Sequence, residues 1–435
     1  MEVLLIALAL VVLAFLGSPI FAVLGAIGLI AFHSTGTDSS AMIVELFRIA
    51  SAPTLLAIPL FTFAGYMLAE SRTPKRLVAL SQALLGWIPG GVAVVALVSC
   101  AVFTAFTGAS GVTIIALGGL LYPILREQNY SERFSLGLLT TSGSLGLLFP
   151  PSLPLILYGM VASNARSFGG GVPDVSIDKL FIAGIIPGIV LVVLLSVYSV
   201  RKNARTRTIP FSWRNALREL RASAWEVPLP FLLLGGIYGG YFTATEGAAF
   251  TVVYVLIVEV FVYRDLSLTR DIPRVMMESV VLVGAILIIL GCAMGLTNFL
   301  IDEEVPMRLF EFVRSIVTSK AVFLILLNLF LIVVGMMMDV FSAIIVVVPL
   351  IIPIATAYGI NPVHLGIIFL TNLEIGYLTP PVGLNLFISS YRFNKTIPEI
   401  LRSVVPFFLI LLISLALITY VPELSTFLVD WLRVR

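Results

Sequence analysis

The sequence predicts an all-α polytopic membrane protein made of two inverted-topology repeats. Three observations carry that expectation: an apolar composition, a one-sided distribution of basic residues, and two helix breaks of one design, around Gly146 and around Gly376. Of 435 residues, 59% are hydrophobic and 11% charged, and the mean hydropathy is +1.10. A soluble domain is about 45–50% apolar and about 25% charged. So few charges cannot cover the surfaces of the roughly three soluble domains this length would otherwise make. A net charge of +2 argues against a broad nucleic-acid footprint. Cys100 and Cys292, both in apolar runs, are expected as buried thiols rather than a disulfide. His33 and His364 cannot build a multi-histidine metal site, and their places near span ends make them interfacial. The first apolar run follows Glu2 without a basic leader or a small-residue cleavage site before Gly17, so no cleaved signal peptide is expected.

An α-helical span takes about 20 apolar residues. The first repeat, 1–200, opens with apolar segments at 3–16, 19–32 and 52–69. After a charged amphipathic stretch come two short segments, 92–106 and 111–125, which together form one re-entrant helical hairpin over 92–125. A helix interrupted by Pro-Pro follows over 136–162, then a span at 180–200. The connector, 201–226, carries Arg201, Lys202, Arg205, Arg207, Arg214, Arg218 and Arg221, and is solvated or faces lipid headgroups. The second repeat, 227–435, has spans at 227–242, 246–263 and 280–300, a hairpin over 321–357, a Pro-Pro-broken helix over 365–390 and a span at 404–421. This arrangement puts 18 of the 26 Lys and Arg on the connector's side. Lys and Arg resist translocation, so that side is cytoplasmic and the N-terminus periplasmic.

Residues 113–155 laid over 343–385 align Pro123 with Pro353, Thr141 with Thr371, Gly146 with Gly376, and Pro150-Pro151 with Pro380-Pro381; ten of the 43 positions are identical. Inverted repeats with discontinuous helices are how many secondary transporters build a site near the bilayer midplane. Broken backbone at membrane depth must line a cavity or be buried in protein. Proline donates no hydrogen bond and pushes the residue before it out of the α region. The first half-helix is therefore expected to end near Gly146 and a second to start near Pro151. Free carbonyls beside hydroxyls suit a hard cation, and helix N-termini suit a carboxylate. The hairpin tips match this chemistry: Thr107 to Thr113 is small and hydroxyl-rich, while Met338 to Ser342 adds the carboxylate of Asp339.

These residues make the chain resemble the large permease subunit of tripartite ATP-independent periplasmic (TRAP) transporters, the C4-dicarboxylate large-subunit family. The likeness rests on Leu56 to Phe61 with Gly65, the Thr107–Thr113 tip, Gly146 to Ser152, Gly235 to Gly240 with Phe242 to Glu246, and Asn372 to Gly383. The resemblance implies an elevator-type ion-transporter-like fold in the bacterial inner membrane and no enzymatic activity. It implies Na⁺-coupled import of an organic acid anion: a dicarboxylate, a sialic or other sugar acid, or a keto acid. The partners it implies are a small membrane subunit on a separate chain and a periplasmic substrate-binding protein. About two Na⁺ sites are implied, and no organic cofactor. The first would use Gly108 and Ser110 with Ser142, Gly143 or Gly146. The second would use Asp339 or Ser342 with Asn372, Gly376 or Thr379, with Glu374 beside them. Candidates for the anion are Thr107, Ser110, Thr113, Pro151, Ser152, Pro381 and Asn385.

H⁺ coupling is the nearest alternative, resting on Glu374 and Asp339. A channel subunit gives no reason for two matched tips of opposite orientation, and no His/Glu metal motif or Ser–Lys pair points to a membrane-embedded enzyme. Acids within apolar runs are costly and often functional. Asp339 and Glu374 are expected to be functional, Glu246 to cap a helix, and Glu259 to reach the cytoplasmic interface. Glu45 and Arg48, one turn apart, would form a rim pair.

Overall fold

The computed structural model describes residues 18–36, 38, 40–51, 53–166, 175–203 and 210–432, which form helices without a strand. The first expected segment, 3–16, and the connector's Arg205 and Arg207 lie outside the described residues, as does the Glu45 side chain.

Four described helices precede the first hairpin: α1 (Ile20–Ser34), α2 (Ser40–Ala50), α3 (Ala57–Glu70) and the amphipathic α4 (Thr73–Leu85). Then come α5 (Gly91–Thr107), α6 (Ser110–Glu127) and α7 (Glu132–Ser142), a 3₁₀ turn at Leu145–Leu148, α8 (Leu153–Arg166) and α9 (Ile177–Lys202). A basic amphipathic helix, α10 (Trp213–Ala222), leads to α11 (Pro228–Tyr238), α12 (Ala244–Leu256), a π-helical turn at Ile257–Val262, and α13 (Asp271–Asp302). The last part holds α14 (Val305–Ile316), α15 (Lys320–Met337), α16 (Val340–Ala357), α17 (Pro362–Gly376), α18 (Leu384–Phe393), α19 (Ile397–Tyr420) and α20 (Glu423–Trp431). Among the described residues, six helical stretches are long and apolar enough to cross a bilayer: α9, α12 with its π turn, α13, α15, α16 and α19. The broken helix α7–α8, bent by 43°, would make a seventh. α15 and α16 each pass that test alone, although the sequence makes them two arms of one re-entrant hairpin.

Local sequence sets many of these ends. The Ser131 side chain accepts from the Phe134 amide to start α7. Asn361 accepts from Val363 ahead of Pro362 to start α17. A capping box of Thr243 and Glu246 starts α12, as expected for Glu246. The breaks depart slightly from expectation. α7 stops at Ser142, a 3₁₀ turn carries the chain past Gly146, and α8 starts at Leu153 instead of Pro151. The Pro150–Pro151 and Pro380–Pro381 peptide bonds are both cis.

Helix ends recur 230 residues apart. α5 and α15 end at Thr107 and Met337, α6 and α16 span Ser110–Glu127 and Val340–Ala357, and α7 and α17 begin at Glu132 and Pro362. Packing follows the same correspondence: α16 lies against α8 and α6 against α18, while α19 packs on α7 and α9 on α17. A second group joins α1, α2 and α3 to α13, and α3 to α12, and it packs on the first through α3 against α5 and α8 and α13 against α16. The charged arm α4 bridges α5 and α10.

Two expectations are corrected. His364 is buried, with Nδ1 at 3.1 Å from Ser425 Oγ, because α19 and α20 cover the start of α17. Glu259 does not reach the interface: its side chain is 0% exposed and ion-paired to Arg76, because α4 folds over the end of the α12 span.

Candidate functional site

The first tip joins α5 to α6. Gly108 caps α5 at φ +65°, a left-handed conformation glycine adopts without Cβ strain, and a Cβ there would strike Leu153 at the start of α8. Thr104 ties the pieces together. Its hydroxyl lies 2.7 Å from Thr113 Oγ1 and 2.9 Å from the Gly143 carbonyl oxygen. A Cβ on Gly143 would strike Ile114 and come within 3.2 Å of the Ser110 carbonyl oxygen. One on Gly146 would collide with the Ala101 carbonyl, the Ala105 amide nitrogen and Thr104. The fold therefore brings Gly108 and Ser110 to the break that holds Gly143 and Gly146. Ser142, beside Gly143, donates its hydroxyl to the Leu139 carbonyl oxygen at 3.3 Å.

Ser110, Thr107, Thr113, Ser142, Pro151 and Ser152 are all buried there. Thr107 Oγ1, Thr141 Oγ1 and Ser152 Oγ have no partner. A buried hydroxyl left unpaired costs about 1–3 kcal/mol. A bound cation or anion would offset that cost. The donor set, carbonyl and hydroxyl oxygens with no thiolate or imidazole, fits a hard alkali cation better than a transition metal.

The second tip is built differently. Asp339 caps α16, accepting from Ser342 N at 3.0 Å and Ser342 Oγ at 2.6 Å, so both of its oxygens are engaged within its own helix start. Gly376 meets the tip: a Cβ there would collide with the backbone of Gly335 and Met336 in α15. The Gly383 amide donates to the Met336 carbonyl at 3.1 Å, and Thr379 Oγ1 donates to Ile375 O at 2.9 Å. Asn372 lies elsewhere. Its Nδ2 donates to Asn328 Oδ1 and to Ile368 O, both at 2.8 Å. Asn328 precedes Met338 by ten residues of α15, about 15 Å along the helix. Gly376 and Gly383 are thus against the last turn of α15, which leads into the second tip, and Asn372 is held away from it.

Glu374 is fully buried, and neither of its carboxyl oxygens has a partner. Asn385 reaches across to the other broken helix, its Nδ2 3.4 Å from Thr140 O, and its Oδ1 is unpartnered. The two breaks differ in exposure. Leu145–Leu148, Pro150 and Pro151 are buried, whereas Pro380, Pro381 and Val382 are exposed. Two contributors were not singled out in the sequence, Thr104 and Asn328. The available signal was a polar side chain inside an apolar run, three residues before one tip for Thr104 and mid-helix for Asn328.

The family model of the tripartite ATP-independent periplasmic transporter, DctM component, matches residues 6–424. The C4-dicarboxylate TRAP transporter large permease protein DctM of Pseudomonas aeruginosa is 36% identical over 414 residues, covering 94% of this chain and 93% of that protein. The isethionate TRAP transporter permease protein DctMQ of Oleidesulfovibrio alaskensis is 32% identical, covering 94% of this chain and 64% of that protein. The ectoine/5-hydroxyectoine TRAP transporter large permease protein UehC of Ruegeria pomeroyi is 30% identical, with 97% of each chain covered. In fold, the chain is similar to the Alcanivorax borkumensis YdaH transporter, with a TM-score of 0.62 at 14% identity over 91% of this chain and 88% of that one.

Proposed function

Because the chain belongs to the family of the DctM component of tripartite ATP-independent periplasmic transporters, we propose that this large permease subunit imports an organic acid anion with Na⁺ and works by an elevator movement. One observation carries most weight. Gly146 abuts Ala105 of α5, and Gly376 abuts Gly335 of α15, so both partners of the contact recur at the same 230-residue offset. Such recurrence is expected of two repeats, 1–200 and 227–435, that present the same tip-and-break device to one site from opposite sides of the membrane. The basic connector 201–226 then lies in the cytoplasm, and the N-terminus in the periplasm. α5–α9 with α15–α20 are the moving part, and α1–α3 with α11–α13 the fixed part. A small membrane subunit braces the fixed part, and a periplasmic binding protein delivers the anion.

In the first half, Na⁺ is held by carbonyl and hydroxyl oxygens of Gly108, Ser110, Ser142, Gly143 and Gly146. In the second half, Gly376, Thr379 and Ser342 are the nearest group, with Asp339 supporting Ser342. Thr107, Thr113, Ser152, Pro381 and Asn385 line the anion's place. Coupling follows from linkage: cation and anion each favour the assembled tip and break, so each raises the other's affinity by the same factor.

The test is uptake by proteoliposomes holding the permease with its small subunit and binding protein. An inward Na⁺ gradient at constant pH is expected to drive accumulation. Accumulation that ignores Na⁺ and follows a pH gradient would replace Na⁺ with H⁺. Ser110→Ala is expected to raise the half-activating Na⁺ concentration about tenfold. A contact to a charged group is worth about 1.5–3 kcal/mol, and tenfold is about 1.4 kcal/mol. Unchanged Na⁺ activation would remove Ser110 from the ligand set.

A further inference from the structure

Outside the transport site, the basic connector carries the helix α10, whose side chains divide by face. At 3.6 residues per turn, Trp213, Ala216, Leu217 and Leu220 share one face, Arg214, Arg218 and Arg221 form a row along one edge of it, and Asn215 and Glu219 lie beyond that row. Ala216 is buried, and α10 packs on α4. The rest of the apolar face is open: Trp213 is 79% exposed, Leu217 50% and Leu220 43%. Phe211 meets Trp213 edge-on, with ring centroids 5.1 Å apart. The helix is also held in place. Ser212 caps its start by accepting from the Asn215 amide. At its other end, the Tyr263 hydroxyl donates to Ala222 O at 2.8 Å and the Tyr254 hydroxyl to Trp225 O at 2.6 Å. Beneath it, Arg76 of α4 pairs with Glu226, Glu259 and Asp265. α10 and α4 are thereby fastened to α12 and to the segments on either side of it.

The arginine row is only partly used. Arg218 is engaged, its Nη2 lying 2.6 Å from Asn215 Oδ1 and 2.8 Å from Glu219 Oε1. Arg214 and Arg221 have no carboxylate partner among the described residues. All three border an open hollow of about 630 Å³, together with Ser212, Asn215 and Leu217. Tryptophan collects where a bilayer meets water, and arginine can lay its stem along apolar surface while its head reaches outward. Trp87, 52% exposed, and Trp225, 49% exposed, follow α4 and α10. Three of the chain's four tryptophans therefore lie on this packed helix pair or within three residues of it. Water would suit only the arginines, and an apolar protein face only Trp213 and the leucines. A leaflet boundary suits both.

We propose that α10 docks on anionic phospholipids of the cytoplasmic leaflet, with Trp213, Leu217 and Leu220 entering the boundary between headgroups and acyl chains and Arg214 and Arg221 binding headgroup phosphates. The choice of leaflet rests on the cytoplasmic placement of the connector in the reading of function above. An amphipathic helix with aromatic and leucine side chains on one face and arginines beside them lies in the plane of the interface, and its arginines favour anionic lipid. The docked helix has a mechanical consequence. Lipid grips α10, α10 holds α4, and the ion pairs of Arg76 hold α4 to the fixed part. The fixed part then keeps its depth while the moving part slides past it.

The experiment places the permease with its small subunit in phosphatidylcholine nanodiscs and titrates in phosphatidylglycerol with brominated acyl chains, which quench tryptophan on contact. The quenching lost in Trp213→Phe is the part that belongs to α10, and its dependence on lipid composition gives the preference for phosphatidylglycerol. That preference is expected to fall about fivefold for each of Arg214→Gln and Arg221→Gln, which corresponds to about 1 kcal/mol per arginine. It is expected to survive Arg214→Lys and Arg221→Lys, to weaken as salt is raised, and to be unchanged in Arg308→Gln on α14. A preference that persists when both arginines are glutamine would overturn the proposal. So would quenching that owes nothing to Trp213, which would leave the face in water. Quenching of Trp213 only after the small subunit is removed would give the face to that subunit and overturn it as well. The readout is lipid binding without transport, so it stands or falls separately from Na⁺ coupling.

Discussion

Alanine at Gly376 is expected to abolish Na⁺-driven uptake and to lower the Tm of the purified complex. The added methyl group would meet the backbone of Gly335 and Met336, and backbone in a packed helix cannot swing aside as a flexible side chain can. Overpacking of this kind typically costs about 1–3 kcal/mol, and here it also pries α17 away from the tip that closes the second site. Gly146→Ala is expected to do the same in the first half, against Ala101 and Ala105. Gly284→Ala is the control, since nothing lies within 4 Å of its added Cβ. Uptake by the Gly376→Ala protein at the native rate would show that the tip and break need not touch for transport.

Glu374→Gln is expected to lower Na⁺-driven uptake about tenfold or more without unfolding the protein. The glutamine keeps the shape of the side chain, so packing is preserved. What changes is the chance to carry negative charge at a fully buried place where neither oxygen has a protein partner. A charged oxygen serving a cation is worth about 1.5–3 kcal/mol, which is tenfold or more in affinity. The measurement is initial uptake against Na⁺ concentration at two pH values. Reduced uptake with a changed Na⁺ dependence supports a cation ligand, a changed pH dependence alone supports a proton carrier, and native behaviour in both would leave Glu374 without a part in coupling.

Several features of the candidate site are legible in the chain itself. Pro-Pro and the glycines before it mark the breaks because proline removes a donor whatever surrounds it. The cap role of Glu246 is visible because a capping box is made within four residues, Thr243 to Glu246. Thr104 and Asn328 are different. A threonine can satisfy its hydroxyl on the carbonyl four residues back, as Thr104 also does with Cys100 at 2.8 Å, so nothing local says that it reaches Gly143. Asp339 looks like a functional acid by its place at a tip, yet its oxygens are engaged by Ser342, which only the turn geometry decides. Asn372 looks like a neighbour of the second tip by sequence distance, but its rotation on α17 turns it to Asn328.

By itself, the sequence determined the membrane class, the matched segments 230 residues apart and the positions of the breaks. All of these follow from composition, spacing and the covalent limits of proline, which act within a few residues. Tertiary structure alone decided which polar groups meet: Thr104 with Gly143, Gly376 with Gly335, and Glu259 with Arg76 across 183 residues. The reason is physical. A buried polar or charged group takes its energy from partners brought in by packing, so its role is set by neighbours that no local pattern names.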